Sequence, residues 1–215
     1  MRSALTVLAL AVLAQEAKPD RWEKDIQEFE KKDREHPPPP GGIVFAGSST
    51  MRLWKTEKSF PDLPVINRGF GGSQMADSVK YADRIILPVK PRIVVVYAGT
   101  NDLASGKTPE AVLEDWKALV KKIHDALPET RILFLGIKPT IRRWAMRDRQ
   151  TRLNELVAEH AKGDRRLGFI ETGAAFLGED GKPRADLLLP DGLHLNDAGY
   201  AVLAALVRPY LTGQK

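Results

Sequence analysis

Hydrophobic positions along the chain change period several times, and each change marks an element. Between residues 18 and 36 the sequence is densely charged, yet Trp22, Ile26 and Phe29 recur at helical spacing, which predicts one amphipathic helix laid on the outside of the domain. The run Pro37-Pro38-Pro39-Pro40-Gly41-Gly42 stops that helix and reads as a stiff, extended connector. Short apolar runs bounded by turn residues follow at 43–47, 65–67, 93–98, 132–136 and 167–170, each leading into a helical pattern or a loop. Thr108-Pro109-Glu110 supplies an N-cap, a proline at the first helical position and an early acid, so a helix should run from there to Leu127 ahead of Pro128. A second helix is expected at 148–161, before Gly163, and a third starts on Asn196 as cap with Tyr200, Leu203, Leu206 and Val207 on one face.

Runs such as Ile93-Val94-Val95-Val96-Tyr97 are apolar on both faces, as strands are when helices cover both sides of a parallel sheet. The expected architecture is therefore α/β, a doubly wound three-layer α/β/α sandwich around five parallel strands. In such sheets ligands bind beyond the carboxyl ends of the strands. The loops after each apolar run are the place to look for chemistry.

Composition narrows the picture. With 215 residues, one domain with a sizeable core is expected. Hydrophobic residues at 43% and charged residues at 28% are ordinary for a globular chain and argue against global disorder or a membrane channel. The absence of cysteine excludes a disulfide scaffold, an iron–sulfur cluster, a thiolate nucleophile and lipid attachment at an N-terminal Cys. A net charge of +5 and a pI near 9.4 raise the question of nucleic acid. Basic residues are interspersed with acids, however, and no basic run is interleaved with aromatics, so no nucleic-acid partner is expected. The densest cluster, Arg142, Arg143, Arg147, Arg149 and Arg152, reads either as a solvated face or as a rim attracting an anionic substrate.

The N-terminus reads Met1-Arg2-Ser3 and then runs apolar from Ala4 to Ala14 before turning polar at Gln15. That run is too short to cross a bilayer and resembles a secretory signal. The expected organisation is a signal at 1–14, the helix and proline-rich connector at 15–42, and a catalytic domain at 43–215. Export to the periplasm or the exterior follows if the signal is cleaved, with no stable membrane span.

Candidate chemistry gathers at the ends of the runs. Asp191 and His194 lie three positions apart in Leu189-Pro190-Asp191-Gly192-Leu193-His194; a carboxylate beside an imidazole holds one tautomer and stabilises the protonated ring, as a general base for a hydroxyl nucleophile requires. The first run ends Gly47-Ser48-Ser49, a strand-to-helix turn that exposes a hydroxyl, although such turns often only cap a helix. The second ends Asn67-Arg68-Gly69-Phe70-Gly71-Gly72, where missing side chains let backbone N–H groups approach a ligand, or where the chain merely turns. The third ends Gly99-Thr100-Asn101-Asp102, offering an amide that can hold a developing oxyanion.

These four blocks, Ser49, Gly71-Gly72, Asn101 and Asp191/His194, stand in the order found in the SGNH hydrolase superfamily, the GDSL-type esterases and lipases, and the chain resembles that superfamily from Ile43 onward. The resemblance implies a flavodoxin-like fold and an acyl-transfer site. In it Ser49 is the nucleophile, with Asp191 and His194 completing the triad. Ser49, Gly72 (or the adjacent Gly71) and Asn101 line the oxyanion hole. One departure stands out: the usual Gly-Asp-Ser is Gly47-Ser48-Ser49 here. Arg52, Leu53, Trp54 and Asn67 add a likeness to the compact branch that contains platelet-activating factor acetylhydrolases. The implied activity is hydrolysis of a carboxylic ester, with a short acyl group such as acetyl on a carbohydrate or small alcohol. An acyltransferase to a sugar acceptor, or a non-catalytic carbohydrate-binding protein on the same fold, are the alternatives.

Other sites fit poorly. Gly106-Lys107-Thr108 lacks the glycine that a phosphate-cradling loop needs at position 101, and the Gly-x-Ser-x-Gly elbow fails at Met51. His36, His124 and His160 are not at metal-ligand spacing, so neither metal nor cofactor is expected. Gly71, Trp54 and Trp144 are candidates to line the substrate, with Phe176 beside them, although core packing is the expected role for at least one of these three aromatic residues; the loops at 137–146 and 172–189 are the longest available to shape the pocket.

Overall fold

The structure, a computed structural model, describes residues 20–213; the expected signal at 1–14 and the first residues of the N-terminal helical pattern lie outside them. In chain order the elements are α1 (Glu23–Glu35), β1 (Ile43–Gly47), α2 (Ser49–Arg52), α3 (Thr56–Ser59), β2 (Val65–Gly69), α4 (Met75–Ile85), β3 (Ile93–Tyr97), α5 (Thr100–Ala104), α6 (Pro109–Ala126), β4 (Arg131–Leu135), α7 (Arg147–Lys162), β5 (Leu167–Ile170) and α8 (Asp197–Leu211). The five strands are parallel and lie in the order β2-β1-β3-β4-β5. The chain winds outward from β1 to β2 and then crosses back to β3. The point where the winding reverses, between the ends of β1 and β3, is where doubly wound sheets bind their ligands.

Strand alternation divides the core in two. Val44 and Ala46 of β1 and Val94 and Val96 of β3 point to a layer made by α1, α4, α6 and α7, where Ile26, Met75, Trp116 and Leu153 are fully buried. Ile43, Phe45, Ile93 and Val95 point the other way, onto Met51, Trp54, Phe60, Leu203 and Val207. A side chain of this kind contributes about 2 kcal/mol when taken fully out of water, so both faces of every central strand are committed. Trp116 meets Phe134 edge to face, with ring centroids 5.3 Å apart, an arrangement favoured by the ring quadrupoles.

Helix caps follow the sequence signals. Thr108 accepts from Ala111 N and Asn196 from Gly199 N, at 3.2 and 2.9 Å. Helix α4 buries Met75, Ser78, Tyr81, Ala82 and Ile85 on one face. Its start is set by Gln74 N donating to the Asp77 carboxylate at 2.7 Å, a half of a capping box. Helix α1 is more than an outer cover: Ile26 is fully buried among the residues of α4 and the sheet, and Trp22 and Phe29 pack beside it.

At the end of β1 the backbone of Gly47 turns through φ +130°, and a Cβ built there would lie 2.1 Å from the Tyr97 carbonyl oxygen. Gly47→Ala should destabilise the fold by at least the roughly 1–3 kcal/mol typical of overpacking, with the strained φ added to it. Urea unfolding of the purified variant checks this; an unchanged midpoint would contradict the packing described.

Candidate active site

The hydroxyl of Ser49 sits on a helix of a single turn, too short to hold itself, so its position comes from its surroundings. Ser48 leaves the strand in extended conformation, and its N–H donates to Tyr97 O at 3.0 Å while Phe70 N donates to Gly47 O at 2.9 Å. Asn67, at the middle of β2, donates through Nδ2 to Met51 O and Trp54 O at 2.6 and 2.9 Å, and its Oδ1 accepts from Gly69 N at 2.8 Å. From the other side, the Tyr200 hydroxyl of α8 donates to Thr50 O at 2.9 Å. Three separate elements thus fix one turn at the carboxyl edge of the sheet. The Ser48 side chain makes no capping hydrogen bond; the main chain and Asn67 order this turn.

The loop of Asp191 and His194 is built on itself. Asp191 Oδ1 accepts from the N–H groups of Leu193 and His194 at 2.9 and 3.0 Å, and Leu189 N donates to His194 O at 2.8 Å. Arg142 N donates to Gly192 O at 2.9 Å, tying the loop after β4 to this one. His194 Nδ1 lies 2.5 Å from Asp191 Oδ2, and Nε2 lies 3.1 Å from Ser49 Oγ. An imidazole that donates from Nδ1 to a carboxylate presents a lone pair on Nε2 to the serine hydroxyl. The backbone N–H of His194, then its ring, then the N–H of Leu193 hold the Asp191 carboxyl down at about 2 from an ordinary 3.8.

Asn101 stands in the first turn of α5, with Nδ2 donating to Ser73 O at 2.9 Å; an amide nitrogen carries two hydrogens, so one is left for a ligand. The glycine loop is held by its neighbours. Trp22 Nε1 donates to Gly71 O at 3.0 Å, and Gly72 sits at φ +79°. Below it, the buried carboxylate of Asp102 accepts from Met75 N at 3.1 and 3.2 Å and from Lys107 Nζ at 3.1 Å, and Lys107 also reaches Asp115 at 2.9 Å. Burial raises the Asp102 pKa, against the pull of Lys107. Lys107 is thus a structural cation joining two loops, which disposes of a phosphate-cradling role.

Ser49, Gly71, Gly72, Asn101 and His194 line an open cleft of about 450 Å³, whose wall also includes Arg21 and Arg52. Beside it, between Ser49, Asn101 and His194, is a recess of about 10 Å³ floored by Thr140 and Lys138. Lys138 is only 2% exposed, and its ammonium reaches Tyr97 OH at 3.2 Å and Thr50 Oγ1 at 3.4 Å. The structure brings Ser49, Gly71, Gly72, Asn101, Asp191 and His194 together as expected from the sequence. It does not bring Trp54 or Trp144 to them. Trp54 is buried against Phe45, Phe60 and Tyr200, with Nε1 donating to Ser59 Oγ at 2.8 Å, because the short turn after Ser49 points it into the core. Trp144 lines a separate cavity with Pro139 and Asn154 and stacks near Arg147, at 5.3 Å. Phe176 is core.

Three of the five arginines of the basic cluster are engaged elsewhere: Arg152 pairs with Glu110, Arg147 with Asp148, and Arg149 donates to Lys107 O. Arg21 and Lys138 carried no local motif that marked them for the site; the packing of α1 and of the loop after β4 reveals them, while Arg52 stands on α2 three residues after Ser49. Among the described residues no group of acids and histidines is arranged to hold a metal.

Comparison with known proteins bears on the family and the fold. A model of the GDSL-like lipase/acylhydrolase family matches residues 50–202. The chain is 30% identical over 167 residues to the platelet-activating factor acetylhydrolase IB subunit alpha1 of Bos taurus, covering 74% of this chain and 69% of that protein. It is 26% identical over 190 residues to the alpha2 subunit of Homo sapiens, covering 85% and 80%. Among solved structures, a GDSL-like lipase from Bacteroides thetaiotaomicron superposes with a TM-score of 0.74 at 18% identity, covering 89% of this chain and 98% of that one. A carbohydrate esterase family 3 protein from Talaromyces cellulolyticus does so with 0.63 at 17%, covering 80% and 97%. At such identities the structural likeness establishes the fold.

Because the folded Asp191 carboxyl titrates below its unfolded value of 3.8, at about 2, its contribution to stability is present above pH ~4 and is lost as pH falls toward ~2. Urea unfolding of wild type and Asp191→Asn across that window should show the acid-side loss reduced in the variant; identical slopes would contradict the geometry of the loop.

Proposed function

The chain belongs to the GDSL-like lipase/acylhydrolase family, and from that premise we propose that it is a serine esterase hydrolysing short acyl esters through an acyl-enzyme on Ser49. The family makes it a carboxylic ester hydrolase. The observation that carries the finer reading is the unbroken line from Asp191 to His194 to Ser49, at 2.5 and 3.1 Å. A non-catalytic binding protein has no need of that line.

In the proposed reaction Ser49 Oγ attacks the ester carbonyl carbon as its proton passes to His194 Nε2. The carbonyl oxygen becomes an oxyanion, received by the backbone N–H groups of Ser49 and Gly72 and by Asn101 Nδ2. Collapse expels the alcohol, which takes the proton from His194 and leaves an acyl-Ser49. Water, deprotonated by His194, repeats the sequence and releases the carboxylic acid. Asp191 holds the imidazole and offsets its positive charge while it carries the extra proton.

Size supports a short acyl group and a larger alcohol. The recess of about 10 Å³ beside Ser49 has room for little more than a methyl group, whereas the cleft of about 450 Å³ accepts a sugar or another small alcohol. The mammalian relatives are named for acetylhydrolase activity, which favours acetyl. Export belongs to the same proposal: the apolar run 4–14 behind Arg2 reads as a cleaved signal, and mass spectrometry of the mature N-terminus from cell fractions tests it, with an intact Met1 in the cytosol as the contrary result.

Hydrolysis of p-nitrophenyl acetate tests the chemistry. Ser49→Ala and His194→Ala should lower turnover to near background with unchanged thermal unfolding. Asn101→Ala should lower kcat by about 100- to 1,000-fold with a smaller change in KM. Near-wild-type hydrolysis by Ser49→Ala would overturn the assignment.

A further inference from the structure

The wall of the catalytic cleft carries two guanidinium groups that no acid neutralises. Several arginines elsewhere are paired: Arg68 with Asp33, Arg84 with Glu23 and Glu30, Arg166 with Asp164, Arg184 with Asp186, Arg208 with Asp62. Among the described residues, Arg21 and Arg52 have no carboxylate within 4.0 Å, although both line the cleft with Ser49, Asn101 and His194. They come from different elements, Arg52 from the nucleophile helix α2 and Arg21 from the turn that leads into α1.

They also converge on one feature, the two glycines. A Cβ built on Gly71 would lie 2.7 Å from Arg52 Nε, and one built on Gly72 would lie 2.7 Å from an Arg21 terminal nitrogen. The missing side chains let both cations close on the loop whose Gly72 N–H faces the reacting carbonyl in the proposed mechanism. Arg21 is not a loose surface residue: its neighbour Trp22 is anchored by the hydrogen bond to Gly71 O at 3.0 Å and packs edge-on against Phe70 at 5.9 Å, and the Arg21 guanidinium lies 4.8 Å from the Trp22 ring centroid. The single carboxylate in this wall is Asp25, which leaves the wall with an excess of positive charge beside the reaction centre.

Resting on the esterase reading above, we infer that Arg21 and Arg52 form an anion subsite, so that the preferred substrate is an ester whose alcohol portion carries a carboxylate or phosphate group. The acyl side is excluded by size, because the recess beside Ser49 holds about 10 Å³. The alcohol side opens into the cleft where the guanidiniums stand. Planar guanidinium forks match both oxyanions in geometry, and they line the open cleft, whereas the Lys138 cation is buried at 2% exposure.

The test compares 4-acetoxybenzoate and 4-acetoxyphenyl phosphate with the neutral methyl 4-acetoxybenzoate. Wild type should favour the anionic esters in kcat/KM at low ionic strength. Arg21→Gln with Arg52→Gln should lower the anionic-to-neutral ratio by about fivefold to tenfold, chiefly through KM, while Arg21→Lys with Arg52→Lys keeps part of it. Added salt should compress the wild-type ratio. The relative preference for the two anionic esters tells carboxylate from phosphate. A ratio that is the same in wild type and the Gln variant overturns the subsite. Calorimetric binding of benzoate and phenyl phosphate to Ser49→Ala, with and without the two Gln substitutions, reads the subsite without turnover. Anion binding lost in the Gln variant upholds it even if no ester is hydrolysed, a result that would overturn only the esterase reading; binding unaffected by the substitutions overturns it.

Discussion

One turn of helix cannot stabilise itself, and the Ser49 hydroxyl sits at the start of such a turn. Everything around α2 serves to hold it. Asn67 takes two of its carbonyl oxygens, Tyr200 takes a third from the opposite layer, and Gly47 and Gly69 lack side chains where the backbones of Tyr97 and Arg52 come within bonding contact of a would-be Cβ. The parallel sheet matters to function chiefly because it brings the ends of β1, β2 and β3 into one register row, where Gly47, Gly69 and Tyr97 stand side by side. The strand order then leaves the space beyond β1 and β3 open.

Two kinds of electrostatic structure meet at that edge. Asp102, Lys107 and Asp115 form a partly buried network that joins the glycine loop to the loop after β3; breaking one member would leave a charge uncompensated in a low dielectric. Asp191 and His194 are more open, with side chains 35% and 26% exposed, and Asp191 owes its low pKa to two backbone N–H groups and the imidazole beside it. The first network sets the spacing of the loops, and the second borders the open cleft through His194. Lys138, buried under Ser49 with only hydroxyl partners, adds a positive charge to the floor of the recess.

Much of this was legible in the sequence because the relevant signals are local. The five strands follow from runs of β-branched and apolar residues between turns, and the caps at Thr108 and Asn196 from residues that prefer those positions. The four blocks placed Ser49, Gly72, Asn101, Asp191 and His194 on one edge once the sheet was taken as parallel. Sequence left the aromatic residues open between core and substrate, because one near a nucleophile in sequence need not face it: a single turn rotates Trp54 into the core, and the helical turns after β4 carry Trp144 to another cavity. Helix α4 was faint because its buried face, Met75, Ser78, Tyr81, Ala82 and Ile85, includes a hydroxyl and a single methyl among its larger apolar residues. Arg21 was invisible, since it reaches the site only through packing across about 50 residues of chain, between Trp22 and Gly71.

That last contact has a consequence for the geometry of the peptide it touches. The Gly71–Gly72 peptide is trans, so its carbonyl and its amide hydrogen point in opposite directions. An indole that fastens the Gly71 carbonyl toward α1 therefore aims the Gly72 N–H away from α1. Between two glycines such a plane rotates with little steric resistance, and the tryptophan acts as its latch. The N-terminal arm thus controls the orientation of a donor that lies some fifty residues further along the chain, so trimming the chain back past Trp22 would free a hinge inside the site while leaving the sheet intact.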